Sequence, residues 1–210
     1  MRKTFLAITL FLAFSKAALA QFGNCTASEM RTYVDSATGN TITMLTDTMK
    51  NDRFLYQTDP MWTADGKYLL FRSSSRGNDK EVESTLPNGE KRKWTPTQIY
   101  FIEMATGKII QATEGPNLGS AFLANKTNRM FVSRKEKENW NMYVMDLNKF
   151  FADVKQGKVG KPSAYETFIG TFPTEMGRPG GYAVDCNDDY AYITVEREGK
   201  IGRASCRERV

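Results

Sequence analysis

The sequence predicts an all-β chain, a β-propeller built of four-stranded antiparallel blades, on three observations. A strand-turn-strand pattern returns at a step of about sixty residues. Each return is followed by a second strand pair. The chain also opens on strands that look like half a blade.

The pattern first runs over Pro60-Met61-Trp62-Thr63-Ala64-Asp65-Gly66-Lys67-Tyr68-Leu69-Leu70-Phe71. An aromatic precedes a polar turn, and an apolar strand follows. Asp-Gly is a strong hairpin signal because glycine tolerates positive φ. The pattern returns at 121–132 and again at 182–193, so that Trp62, Phe122 and Tyr182 fall sixty apart, as do Asp65, Asn125 and Asp185. A fixed period of this kind marks a repeat architecture. Trp62, filling a repeat position, is expected in the core.

The second half of the unit is Gln98–Met104, a turn at Ala105-Thr106-Gly107-Lys108, and Ile109–Thr113. Asn141–Leu147 matches its first strand in the next unit. One unit is then four short antiparallel strands, one propeller blade, and about three blades are present. Tyr33–Thr46, with Ala37-Thr38-Gly39 at its turn, reads as the second half of a blade without a first half. In a closed ring such a segment completes the last blade and removes a sheet edge. Two stretches, Asn78–Lys93 and Asn148–Glu175, read as charged, strand-poor inserts with solvated charges. Phe150-Phe151-Ala152-Asp153-Val154 is expected to form a short helix within the second.

The ends divide the chain into a leader at 1–20, a propeller part at 21–200 and a tail at 201–210. Arg2 and Lys3, the apolar run Phe5–Phe14 and the small-x-small site Ala18-Leu19-Ala20 form a secretory signal. The expectation is cleavage after Ala20, a periplasmic or secreted protein and no membrane association afterwards. Ile201–Val210 back-translates to a common short-read sequencing adapter in frame, and is expected not to be native coding sequence. The whole chain has 29 Lys+Arg and 24 Asp+Glu, net +5. Setting aside Arg2, Lys3 and Lys16, and then Arg203, Arg207, Arg209 and Glu208, leaves 23 of each sign. The basic balance is therefore no argument for a nucleic-acid partner. Cys25 and Cys186 remain as either a disulfide or two buried thiols. There is no histidine, the usual neutral-pH base and commonest metal ligand.

Thr32–Thr46, Asp52-Arg53-Phe54-Leu55-Tyr56-Gln57, the strand from Asp65 to Phe71, and Ala105–Gly115 together resemble the opening of oligogalacturonate lyases. The blade motif is shared with TolB-like periplasmic propellers and with the propellers of prolyl peptidases. The half-blade joined to Arg-x-x-Tyr-Gln favours the lyases. The resemblance implies seven blades in the intact protein and β-elimination on short pectic or related uronate oligosaccharides. It also implies a divalent metal such as manganese, with metal ligands and main catalytic residues in later blades. A non-catalytic TolB-like binder and the propeller of a serine hydrolase stay open as alternatives. One departure stands out: where the family typically has histidine, this chain has Asp52, an acid that would repel a uronate if it faced the substrate. The candidate contacts to an acidic oligosaccharide are Arg53, whose guanidinium can clasp a carboxylate, Tyr56 and Gln57 for sugar hydroxyls, and Arg178 beside Pro179-Gly180-Gly181. No catalytic residue and no metal ligand is assigned within the chain.

Overall fold

The structure is a computed structural model. It describes residues 22–77, 80–86, 88–172, 179–197, 200–202 and 208–209. The leader and its cleavage site, Arg178 and most of the tail lie outside the described residues.

The strands are β1 (Cys25–Thr26), β2 (Arg31–Val34), β3 (Thr41–Met44), β4 (Asp52–Arg53), β5 (Tyr68–Ser73), β6 (Val82–Thr85), β7 (Lys91–Trp94), β8 (Gln98–Glu103), β9 (Ile109–Gln111), β10 (Leu118–Leu123), β11 (Arg129–Glu136) and β12 (Asn139–Asp146). Helix α1 (Leu147–Gln156) follows, then β13 (Glu166–Phe172), β14 (Pro179–Val184), β15 (Tyr190–Arg197), β16 (Lys200–Gly202) and β17 (Glu208–Arg209). All pairings are antiparallel. The first blade runs β4-β5-β8-β9, with β1 added at its outer edge. The second runs β10-β11-β12-β13, and the third begins with β14-β15. β16 and β17 lie along the free edge of β15 through backbone pairing. The β2–β3 hairpin forms a two-stranded sheet of its own, the predicted half-blade.

The central strands of the first two blades bury both faces, and the strand period of two divides the side chains between neighbours. On β5 and β8, Tyr68, Leu70, Ile99 and Phe101 face the second blade, where they meet Leu123, Met130, Val132 and Met145. Phe71, Tyr100 and Ile102 face the other way and pack with Leu45 beside the half-blade. On β11, Met130 and Val132 point back to the first blade while Phe131 points on to the third, with Phe122, Ala191 and Ile193. Half-blade, first, second and third blade thus stack in chain order, a propeller's fan.

Two turns show local sequence fixing local geometry. Gly39 at φ 72° and Gly107 at φ 71° occupy the left-handed region that disfavours any Cβ. Each donates its N–H to the carbonyl four residues back, on Asp35 and Glu103. Thr38 and Thr106 donate their hydroxyls to those same residues' carboxylates, at 2.5 and 2.7 Å. The half-blade and the first blade therefore close with one motif.

Three expectations need correction. The strand register repeats at 61 rather than 60: Trp62 pairs Leu69, Leu123 pairs Met130 and Val184 pairs Ala191. Trp62 is consequently not equivalent to Phe122 or Tyr182, and it is 47% exposed rather than core. Phe122 and Tyr182 instead stack on each other across the second interface, 4.9 Å apart. The inserts are not strand-poor, since the first carries the β6–β7 hairpin and the second carries β13. α1 displaces that fourth strand along the chain. Asp146 caps the helix, accepting from the Lys149 N–H, and Gly157 ends it at φ 66°. Leu147, Phe150 and Phe151, at helical spacing, enter the first interface, and Phe151 stacks on Tyr68. Cys25 and Cys186 are both free and exposed, neither paired nor buried.

The sixty-residue step is kept where blades clasp each other. Asn128 Oδ1 accepts the Asp65 N–H of the preceding blade at 3.2 Å. Sixty residues on, Asp188 accepts the N–H groups of Asn125, Lys126 and Thr127 and the Thr127 hydroxyl, at 2.7–2.9 Å. Asp188 is 1% exposed. Burial pushes its carboxyl up, but these donors outweigh burial and leave its pKa below the ordinary value. Asp188→Asn keeps a side chain tolerant of the φ of 63° here and removes the charge. It is expected to cost about 1.5–3 kcal/mol, the range for hydrogen bonds to a charged group, measured by denaturant unfolding.

Candidate functional site

A cavity of about 1410 Å³ opens where the inner strands of the three blades converge. Among the described residues its lining holds four basic residues, Arg53, Arg72, Arg92 and Lys93, against one acid, Asp59. Tyr56, Trp94, Tyr182 and Tyr192 add aromatic surface. Gly119 on β10 lets its own blade pack closely behind the lining: a Cβ there would come within 2.5 Å of Ser133 Oγ and 2.6 Å of Trp140. Ser133 Oγ and Tyr182 Oη share a hydrogen bond of 2.7 Å, which ties the second and third blades at the rim.

Arg53 sits on β4 directly opposite Arg72 on β5. Like charges directly opposed on adjacent strands destabilise a sheet, so the pair needs a counter-charge. Among the described residues neither guanidinium has an ion pair. Arg53 Nε donates only to Asn51 Oδ1, at 3.3 Å. Asn51 is itself pinned, its N–H donating to Ser75 Oγ at 2.7 Å and its side-chain amide to Ser74 Oγ at 2.8 Å. The serine run thus fixes the strand that carries Arg53.

Alternation on β4 sends Asp52 to the opposite face, away from the cavity. There Arg76 clasps it in a fork, Nε to Oδ1 at 2.8 Å and Nη2 to Oδ2 at 2.6 Å. The same guanidinium donates to both oxygens of Glu29, at 2.9 and 2.6 Å, and lies over the Phe71 ring. Its side chain is 6% exposed. Burial pulls the guanidinium's pKa down, but the two carboxylates outweigh it and leave it above the ordinary arginine value. The acid at position 52 is therefore neutralised and does not confront a ligand. This ion triad also joins the segment before the half-blade to the first blade's inner strand.

Of the four sequence-predicted contacts, Arg53 and Tyr56 line the cavity. Gln57 is exposed in the turn where the Asp59 N–H meets the Tyr56 carbonyl, and it is not part of the lining. Arg178 lies outside the described residues. Sequence reasoning missed Arg72, Arg92, Lys93 and Trp94. Arg72 carried a signal, since it continues the period of Tyr68 and Leu70 beyond the apolar part of β5. The run Lys91-Arg92-Lys93-Trp94 had no such signal until its hairpin was visible. Among the described residues, no group of three or more Cys, Asp or Glu side chains comes together to hold a metal ion, and histidine is absent from the chain. These residues do not fit a divalent cation, and none of their chemistry runs through one. Among them no helix is long and apolar enough to cross a membrane.

The triad has a pH signature. Hydrogen bonding to Arg76, against the opposing effect of burial, lowers the Glu29 carboxyl from 4.5 to about 2. A depressed acid stabilises the fold fully above its unfolded pKa, and that stability is lost as pH falls through the folded one. Thermal melts should therefore show a loss between about pH 4.5 and pH 2 that is shallower in Glu29→Gln, whose stability at neutral pH is lower from the start.

No protein-family model and no curated protein sequence matches the chain. Two solved structures are similar in fold. One is an oligogalacturonate lyase in complex with manganese, at TM-score 0.59 and 19% identity, over 85% of this chain and 39% of that one. The other is an oligogalacturonate lyase from Vibrio parahaemolyticus, at TM-score 0.54 and 18% identity, over 90% of this chain and 49% of that one. The chain spans less than half the length of either. At this identity the likeness is one of fold, and it agrees with the stacked antiparallel blades: the chain is part of a β-propeller.

Proposed function

We propose that the cavity binds acidic oligosaccharides of the uronate type, and that the protein is an exported lyase cleaving them by β-elimination. The observation that carries this is the opposed, unpaired Arg53 and Arg72 on the cavity wall. Two adjacent guanidiniums offer parallel N–H donors to a carboxylate, and a bound carboxylate relieves their mutual repulsion. Tyr56 supplies a hydroxyl and an apolar ring face for the sugar. The fold likeness to oligogalacturonate lyases and the secretory leader support the same reading.

In the elimination the C5–H bond of the uronate breaks, and its electron pair forms the C4=C5 double bond as the bond from C4 to the leaving oxygen breaks. A base takes the proton, and the leaving oxygen is protonated. Negative charge spreads onto the C6 carboxylate as C5 loses its proton. Fixed cations at that carboxylate stabilise the developing charge more than the ground state, which is where catalysis gains. Arg53 and Arg72 have that role here, and no described residue is assigned as the base.

Calorimetry with galacturonate oligomers tests the reading. Arg53→Ala and Arg72→Ala should each weaken binding about tenfold or more, the loss of a charge-assisted hydrogen bond. Neutral oligosaccharides of equal length should bind weakly to all forms. Release of product with the ultraviolet absorbance of an unsaturated uronate would establish the lyase. Tight binding without product would mark a non-catalytic sugar-binding propeller, and no preference for the acidic sugar would end the reading.

A further inference from the structure

The β6–β7 hairpin stands apart from the blades. It is inserted between β5 and β8, the second and third strands of the first blade, and forms a separate two-stranded sheet. Its register pairs Val82 with Trp94, Glu83 with Lys93, Ser84 with Arg92 and Thr85 with Lys91. The strand period puts Ser84, Arg92 and Trp94 on one face, and all three line the cavity. On the other face Glu83 binds Lys91 at 2.8 Å. That acid is thereby engaged, and among the described residues Arg92 and Lys93 have no ion pair. The cavity thus has two cationic walls: Arg53 with Arg72 on the blade, and Arg92 on the hairpin.

A single small ligand has use for one such wall, and a typical small-molecule site is about 300–1,000 Å³. This cavity is larger, at about 1410 Å³. Two cationic walls around one roomy space suit a ligand that repeats its carboxylate along a chain. The half-exposed ring of Trp94 offers a flat apolar face for a sugar between them.

We propose that the β6–β7 hairpin is a chain-length reader. Resting on the uronate reading above, Arg92 takes a second carboxylate of the oligosaccharide and Trp94 packs on its ring, so that affinity rises from monomer to longer chains. The blade wall holds the first carboxylate whether or not the hairpin is engaged. The second contact is then intramolecular, and linked contacts raise affinity without changing either one.

The test is calorimetry on the full chain with galacturonic acid and its dimer and trimer, for the unaltered protein, the double variant Arg92→Ala with Trp94→Ala, and Lys91→Ala as the outer-face control. The unaltered protein and the control should bind the trimer about tenfold or more tighter than the monomer. The double variant should keep monomer affinity within about twofold and lose most of the gain with length. Circular dichroism establishes that its blades are intact. A gain that survives in the double variant overturns the proposal, as does an equal loss for monomer and trimer. Uronate binding by the unaltered protein without any gain with length overturns the proposal and leaves the uronate reading standing. Failure to bind any uronate overturns both.

Discussion

Everything in this structure depends on the central strands being apolar on both faces. Phe131 and its neighbours Met130 and Val132 are fully buried, yet they serve different interfaces. A sheet of that kind needs a neighbour on each side. Blades therefore stack face to face, and their twist opens the stack into a fan. The inner strand ends converge as a geometric consequence, and the cavity is the space they leave.

The cavity's charge comes from segregation rather than net charge. Arg76 holds Asp52 and Glu29, and Arg134 holds Glu166. Lys155 holds Glu103, and Asp188 is satisfied by backbone donors. These acids are spent in joining elements, which leaves four bases against one acid among the described residues of the lining. A concave wall of one sign focuses its field and draws in anions. A sequence with 24 acids against 29 bases carries such a site because its acids are paired elsewhere.

The additions to the blade plan divide between packing and surface. α1 places three apolar residues into the first interface, and Phe22 joins them against Phe150 and Tyr165. The β6–β7 hairpin carries almost no buried apolar surface and instead brings cations to the cavity. Both interrupt the strand order of a blade without altering which strands pair, because a sheet's pairing is set by its apolar register and tolerates long connections at modest entropic cost.

The sequence by itself determined the central blade strands and the two Thr-Gly turns, while β6, β7 and β13 lay in stretches that read as strand-poor. Those features rest on period-two burial and on backbone positions that only glycine fills easily, and both are local. It also named Arg53, on β4, and Tyr56, three residues on, which both line the cavity. The one-residue difference between an aromatic step of sixty and a register step of 61 escaped it, because pairing is settled across two strands and not along one. Only the tertiary structure turned Asp52 away from the cavity onto Arg76, set Arg72 opposite Arg53, and brought Arg92 and Trp94 to the same cavity. Those positions depend on contacts between residues nineteen or more apart, and electrostatics is decided by where charges end in space rather than by their order in the chain.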